Sequence, residues 1–102
     1  MSIYQTEFLQ GKRIEISEMI LSSKENRLEL TWKINVCDKR STLLFHNVSC
    51  FSINSVSVPF EIEGFEVIDH LQEGWQKDSR YEVHDYEDGK VRFFCERVEL
   101  FG

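Results

Sequence analysis

Over nine residues, Leu28-Glu29-Leu30-Thr31-Trp32-Lys33-Ile34-Asn35-Val36 alternates apolar and polar side chains without a break. A period of two places every apolar group on one face of an extended chain, whereas a helix would scatter the same groups around its axis. The segment therefore reads as a half-buried strand. The rest of the chain is read outward from it.

Upstream, Ile14 and Ile16 are followed by Met19, Ile20 and Leu21, and a bulge near Ser17 or Glu18 reconciles the change of phase. The polar SSKENR stretch then turns the chain into a hairpin. Downstream, CDKRS predicts a second turn. Leu43, Phe45, Val48, Phe51 and Ile53 fit either two short strands or one bulged strand.

Pro59, the single proline, biases Val58 toward extended geometry and favours an edge or a strand's first position. Phe60 and Ile62 alternate with Glu61 and Glu63, and the phase resumes at Phe65 and Val67, which implies another bulge at Gly64. Asp69 to Arg80 is polar and irregular, and predicts a surface loop with one helical turn carrying Trp75. Tyr81, Val83 and Asp85 alternate with Glu82, His84 and Tyr86, and Glu87-Asp88-Gly89 supplies a hairpin turn into Val91, Phe93 and Cys95. The last strand ends near Val98 and Leu100.

No segment carries a three-turn helical pattern, and no repeat or low-complexity linker interrupts the chain. The expected fold is all-β, with residues 1–102 forming a single domain of about seven or eight short antiparallel strands. An antiparallel β-sandwich and a small open barrel fit this pattern equally. Hydrophobic residues make up 41% of the chain and eight are Phe, enough to build a core without the staples needed below about 40 residues.

Cys37, Cys50 and Cys95 are odd in number and form no CxxC, so they read as reduced, buried spacers in a cytoplasmic protein. The start MSIYQTEFLQGKRIEIS has no signal-peptide pattern, and no uninterrupted apolar run exceeds three residues, so neither secretion nor a membrane is expected. A net charge of −6 argues against a nucleic-acid partner. The charge is uneven: residues 61–88 hold ten carboxylates against Lys77 and Arg80 alone. Clustered acids of this kind can steer a basic protein partner, although ordinary solubility explains much of the excess.

The sequence carries no GxSxG, Walker, HExxH, Rossmann or EF-hand pattern, so neither an enzyme nor a cofactor is expected. His46, Cys50, His70 and His84 are chemically suitable zinc ligands but lack ligand-pair spacing, and no metal is expected. His84 neighbours Asp85, but adjacent strand residues face opposite ways, so His84 reads as a surface residue and not a general base. Glu61 and Glu63 share a face, and read as the solvated side of a strand.

The most suggestive constellation is Trp75 with Tyr81, Asp85, Tyr86, Glu87 and Asp88, because aromatic anchors ringed by charge are typical of protein-binding hot spots. Its bland counterpart is a loop Trp that caps the core. A non-catalytic protein-binding domain is the leading expectation. The alternative is a small-ligand site, for a carbohydrate or metabolite, on a platform of Trp75 and a tyrosine; a hydrolase using scattered carboxylates comes third.

The stretch GFEVIDHLQEGWQKDSRYEVHDYEDGKVRFFCE, residues 64–96, resembles small bacterial proteins that share a Gly-Phe start, a Gly-Trp loop, an Asp-Tyr-Glu turn and a terminal Cys-Glu strand. These look like acidic single-domain immunity proteins that accompany bacterial toxins. The resemblance implies a role in binding and neutralising a toxin domain, often a basic nuclease. It implies no catalytic residue, and it marks Gly74-Trp75 and Asp85-Tyr86-Glu87 as pattern positions only.

Overall fold

A computed structural model describes residue 9 and residues 12–53, 59–70, 80–87 and 89–101. These contain nine strands: β1 (Ile14–Lys24), β2 (Arg27–Val36), β3 (Lys39–His46), β4 (Ser49–Ile53), β5 (Phe60–Ile62), β6 (Phe65–Asp69), β7 (Tyr81–Asp85), β8 (Val91–Cys95) and β9 (Arg97–Phe101). They form two antiparallel sheets, ordered β5-β1-β2-β3-β9 and β4-β8-β7-β6. The protein is an all-β sandwich, with more strands than the seven or eight expected.

The alternating stretch is β2, at the centre of the larger sheet, with Leu30, Trp32, Ile34 and Val36 all buried. Trp32 and Phe45 from this sheet meet Phe65 and Phe93 from the other. Trp32 lies 4.9 Å from Phe45, 5.8 Å from Phe93 and 6.2 Å from Phe65 between ring centroids, all edge-on. Phe45 and Phe93 close the set at 4.9 Å. Each such ring contributes about 1.5–3 kcal/mol by burial, and edge-to-face pairing adds about 0.5–1.5 kcal/mol. This aromatic cluster ties the two layers together.

The first two hairpins turn in two residues each. Glu25 and Asn26 (φ 53° and 64°) join β1 to β2, and Cys37 and Asp38 (φ 51° and 65°) join β2 to β3. Two consecutive left-handed residues match the twist of the flanking strands, which is why the turns are so short despite containing no glycine. The expected bulge exists, as a register shift between Ile16 and Glu18.

Three other breaks of phase have a different cause. At Asn47-Val48, at Glu63-Gly64 and at Glu96 the chain leaves one sheet and joins the other. Gly64 is thus a corner and not a bulge, and the run from Leu43 to Ile53 is two strands in separate layers. The Asn47 corner uses φ 58°, and its neighbour Val48 donates its amide to the Leu28 carbonyl at 2.9 Å. Glu96 donates to the His46 carbonyl at 2.9 Å.

Two of the three cysteines depart from the expectation of buried thiols, and Cys95 meets it. Cys95 is buried, and burial pushes its thiol up to about 12. Cys37 and Cys50 are exposed; both occupy left-handed positions, one in a hairpin turn and one at the register shift of β4. Among the described residues no helix is long and apolar enough to cross a membrane.

Candidate binding surface

The turn that follows β7 is built around Asp85. Its Oδ1 accepts the Glu87 amide at 3.1 Å, and its Oδ2 receives a longer contact of 3.4 Å from the Lys90 amide. A carboxylate that gathers the amides of the following residues fixes an Asx-type turn. The Asp85 carbonyl accepts from Gly89 at 3.0 Å, and Gly89 has φ 64°, as the sequence Asp-Gly anticipates.

This turn packs on the β5–β6 corner. The Gly64 carbonyl accepts the Tyr86 amide at 2.9 Å. A Cβ on Gly64 would come within 2.6 Å of the Glu87 nitrogen and 2.9 Å of Asp85 Oδ1, so only glycine allows this approach. Held from both sides, Tyr86 nevertheless remains 52% exposed, with its ring 6.5 Å from that of His84. Glu87 beside it is exposed.

The outer face of β6, β7 and β8 carries paired charges. His84 Nε2 lies 2.7 Å from Glu66 Oε1, across a directly opposed pair of strand positions. His70 Nε2 lies 3.0 Å from Glu82 Oε1, and Arg92 Nε donates to Glu82 Oε2 at 3.1 Å. Burial alone would raise the Glu82 carboxyl. The hydrogen bonds with His70 and Arg92, together with the charges of Arg92 and His84, outweigh it and hold the group below its ordinary value.

At the end of β6, Arg80 makes a two-pronged ion pair with Asp69, at 3.0 and 2.9 Å, and lies 4.8 Å over the ring of Tyr81. The bond with Asp69 is the largest cause holding the Arg80 guanidinium above its ordinary value. The His70 amide donates to the Arg80 carbonyl at 2.8 Å, so the chain departs and returns at one point.

Of the six expected contact residues, Tyr86 and Glu87 are exposed and adjacent. Tyr81 and Asp85 are buried, so neither offers its side chain to a partner. Tyr81 belongs to the core, and its hydroxyl is raised by that burial; Asp85 shapes the turn. Trp75 and Asp88 lie outside the described residues, as does most of the Asp69–Arg80 loop.

The acidic tract does not form one unbalanced patch among the described residues. Glu61 and Glu63 both engage Arg13, at 3.1 and 2.8 Å, while Glu66, Asp69, Glu82 and Asp85 have the partners given above. Sequence reasoning tested His84 only against its neighbour Asp85 and so missed His84–Glu66 and His70–Glu82. The first was accessible by pairing β6 with β7 in antiparallel register, which sets Glu66 opposite His84.

On the larger sheet, His46 sits between Glu29 at 3.2 Å and Glu99 at 3.5 Å, with Arg97 pairing Glu99 at 3.4 Å. A shallow cleft of about 760 Å³ lies on the same sheet, lined by residues that include Glu15, Lys33, Asn35, Arg40, Thr42 and Phe101. No group of three His, Cys, Asp or Glu side chains among the described residues is arranged to hold a metal ion. Comparison with protein-family models, with curated proteins and with solved structures finds no match to this chain.

Proposed function

We propose that this chain is a non-catalytic protein-binding domain whose contact surface centres on Tyr86 and Glu87. The observation that carries the reading is the exposure of Tyr86 on a turn locked by Asp85 and Gly64. An aromatic side chain carried on a backbone already fixed in place spares the cost of ordering that backbone on binding, and aromatic anchors dominate interface energetics.

The partner in this reading is a basic protein, and the resemblance of residues 64–96 to immunity proteins makes a toxin domain the favoured class. Supporting features are the net charge of −6 and the exposed Glu87 next to the aromatic anchor. Two exposed thiols, Cys37 and Cys50, suit a reducing cytoplasmic setting. Affinity capture on immobilised wild-type protein and on Tyr86→Ala tests the proposal. One basic protein held by the first and lost by the second is the expected result, and equal capture by both removes Tyr86 from the account.

A second reading, a small-ligand site for a carbohydrate or metabolite, draws on the cleft of the larger sheet. There the exposed Phe101 ring adjoins Asn35, Arg40 and Thr42, an apolar surface beside donors and acceptors. A concentration-dependent rise in melting temperature with one sugar class, abolished by Phe101→Ala, supports this reading; no shift with any class removes it.

A further inference from the structure

Two arginines of the smaller sheet share one arrangement. Arg80 lies 4.8 Å over the Tyr81 ring and forks onto Asp69 at 3.0 and 2.9 Å. Arg92 lies 5.6 Å over the Phe94 ring and donates to Glu82 at 3.1 Å. In both, a guanidinium is attracted to the negative face of an aromatic ring while a carboxylate fixes its position. The chain thus builds the same three-part contact, an arginine on a ring beside a carboxylate, at two places.

The turn after β7 supplies the ring and the carboxylate of a third. Tyr86 is 52% exposed, Glu87 follows it with its side chain also exposed, and Asp85 and Gly64 hold the backbone of both. The basic groups around the turn are directed elsewhere. Lys90 aims its Nζ at the Glu61 carbonyl, 2.8 Å away, and Arg92 is engaged with Glu82. His84, whose ring stands 6.5 Å from that of Tyr86, is tied to Glu66 at 2.7 Å, so a charge on its imidazole is offset by a carboxylate. A positive group arriving at Tyr86 from outside therefore meets an aromatic face and a carboxylate beside a neutralised histidine.

We infer that Tyr86 and Glu87 together form an arginine site, in which a side chain of the protein partner lays its guanidinium over the Tyr86 ring and pairs with the Glu87 carboxylate. A guanidinium is planar, stacks on a ring and presents several donors in a fixed fork, whereas an ammonium is a compact, strongly hydrated charge that gains less from the ring. The site therefore selects arginine over lysine, and it uses the ring of Tyr86 and not the hydroxyl. This rests on the proposed role of Tyr86 as partner anchor, and it assigns the residue type that meets that anchor.

Blocked tripeptides Gly-Arg-Gly and Gly-Lys-Gly carry equal charge and serve as probes in NMR titrations of the whole chain. Wild type is expected to show saturable shifts at the Tyr86 and Glu87 amides with the arginine peptide, and to bind it at least about threefold more tightly than the lysine peptide. Tyr86→Phe keeps that preference and Tyr86→Leu loses it, while Glu87→Gln weakens both peptides. No saturable shift with the arginine peptide, equal binding of the two peptides, or a preference that survives Tyr86→Leu overturns the inference. Partner capture separates this result from the broader reading. A protein held by wild type and lost with Tyr86→Ala, combined with equal binding of the two peptides, leaves the anchor and removes the arginine. An arginine preference at this turn, combined with a captured partner indifferent to Tyr86, supports the arginine chemistry and removes the reading on which it rests.

Discussion

Asp85, 2% exposed, accepts the amide of Glu87 at 3.1 Å and so fixes the turn from which Tyr86 projects. Replacing this carboxylate by Ala leaves the part-buried amides of Glu87 and Lys90 without their acceptor, a loss of about 1 kcal/mol. Asp85→Ala is therefore expected to lower the urea midpoint, with Asp85→Asn losing less because its amide oxygen can still accept from Glu87. A smaller loss for Ala than for Asn would contradict the capping role.

Gly64→Ala provides a second approach to the same turn. A methyl group 2.6 Å from the Glu87 nitrogen meets backbone on one side and the buried Asp85 carboxylate on the other, and neither can swing away. The expected cost is about 1–3 kcal/mol, as for overpacking elsewhere, accompanied by altered amide shifts at Tyr86 and Glu87. Unchanged stability would mean that the corner and the turn are less tightly packed than described.

The strands were legible in the sequence wherever alternation was continuous, as in β2 and β7, because burial on one face imposes it residue by residue. The number and assignment of strands were less legible. A bulge and a corner both interrupt the period by a residue or two, and only the hydrogen-bond partner distinguishes Ser17, where β1 stays in its sheet, from Gly64, where the chain changes sheet. The acidic tract misled for a related reason: Glu61 and Glu63 are paired with Arg13, some fifty residues away in sequence. Of the candidate site, Tyr86 and Glu87 emerged from a local pattern, while the roles of Asp85 and Tyr81 depended on burial that neighbours in sequence do not reveal.

Glu82 gives the structure a predictable acid response. Its folded pKa is held below the ordinary 4.5, so the stabilisation is fully present above that value and is lost as pH falls through the lower folded value. Glu82→Gln is accordingly expected to be less stable than wild type near neutral pH, with the gap closing below about pH 4.5. Urea titrations of both proteins across that range measure this, and a gap that widens in acid would reverse the assigned sign.

The three thiols are expected to divide sharply. Cys37 and Cys50 are exposed and should react with a thiol reagent in the folded protein, whereas Cys95, buried and raised to about 12, should react only after unfolding. Mass spectrometry after alkylation with and without denaturant counts the labels. Rapid native labelling of Cys95 would contradict its place between the sheets.

Binding of a protein partner depends most directly on Tyr86 as its anchor. Capture from native lysate on wild type, Tyr86→Ala and Glu87→Lys, run at about 50 and about 500 mM salt, isolates its contribution from screened charge effects. The predicted result is a basic protein retained by wild type, weakened by high salt and by Glu87→Lys, and lost with Tyr86→Ala. A partner held equally by all three proteins, or no partner at either salt concentration, would contradict it.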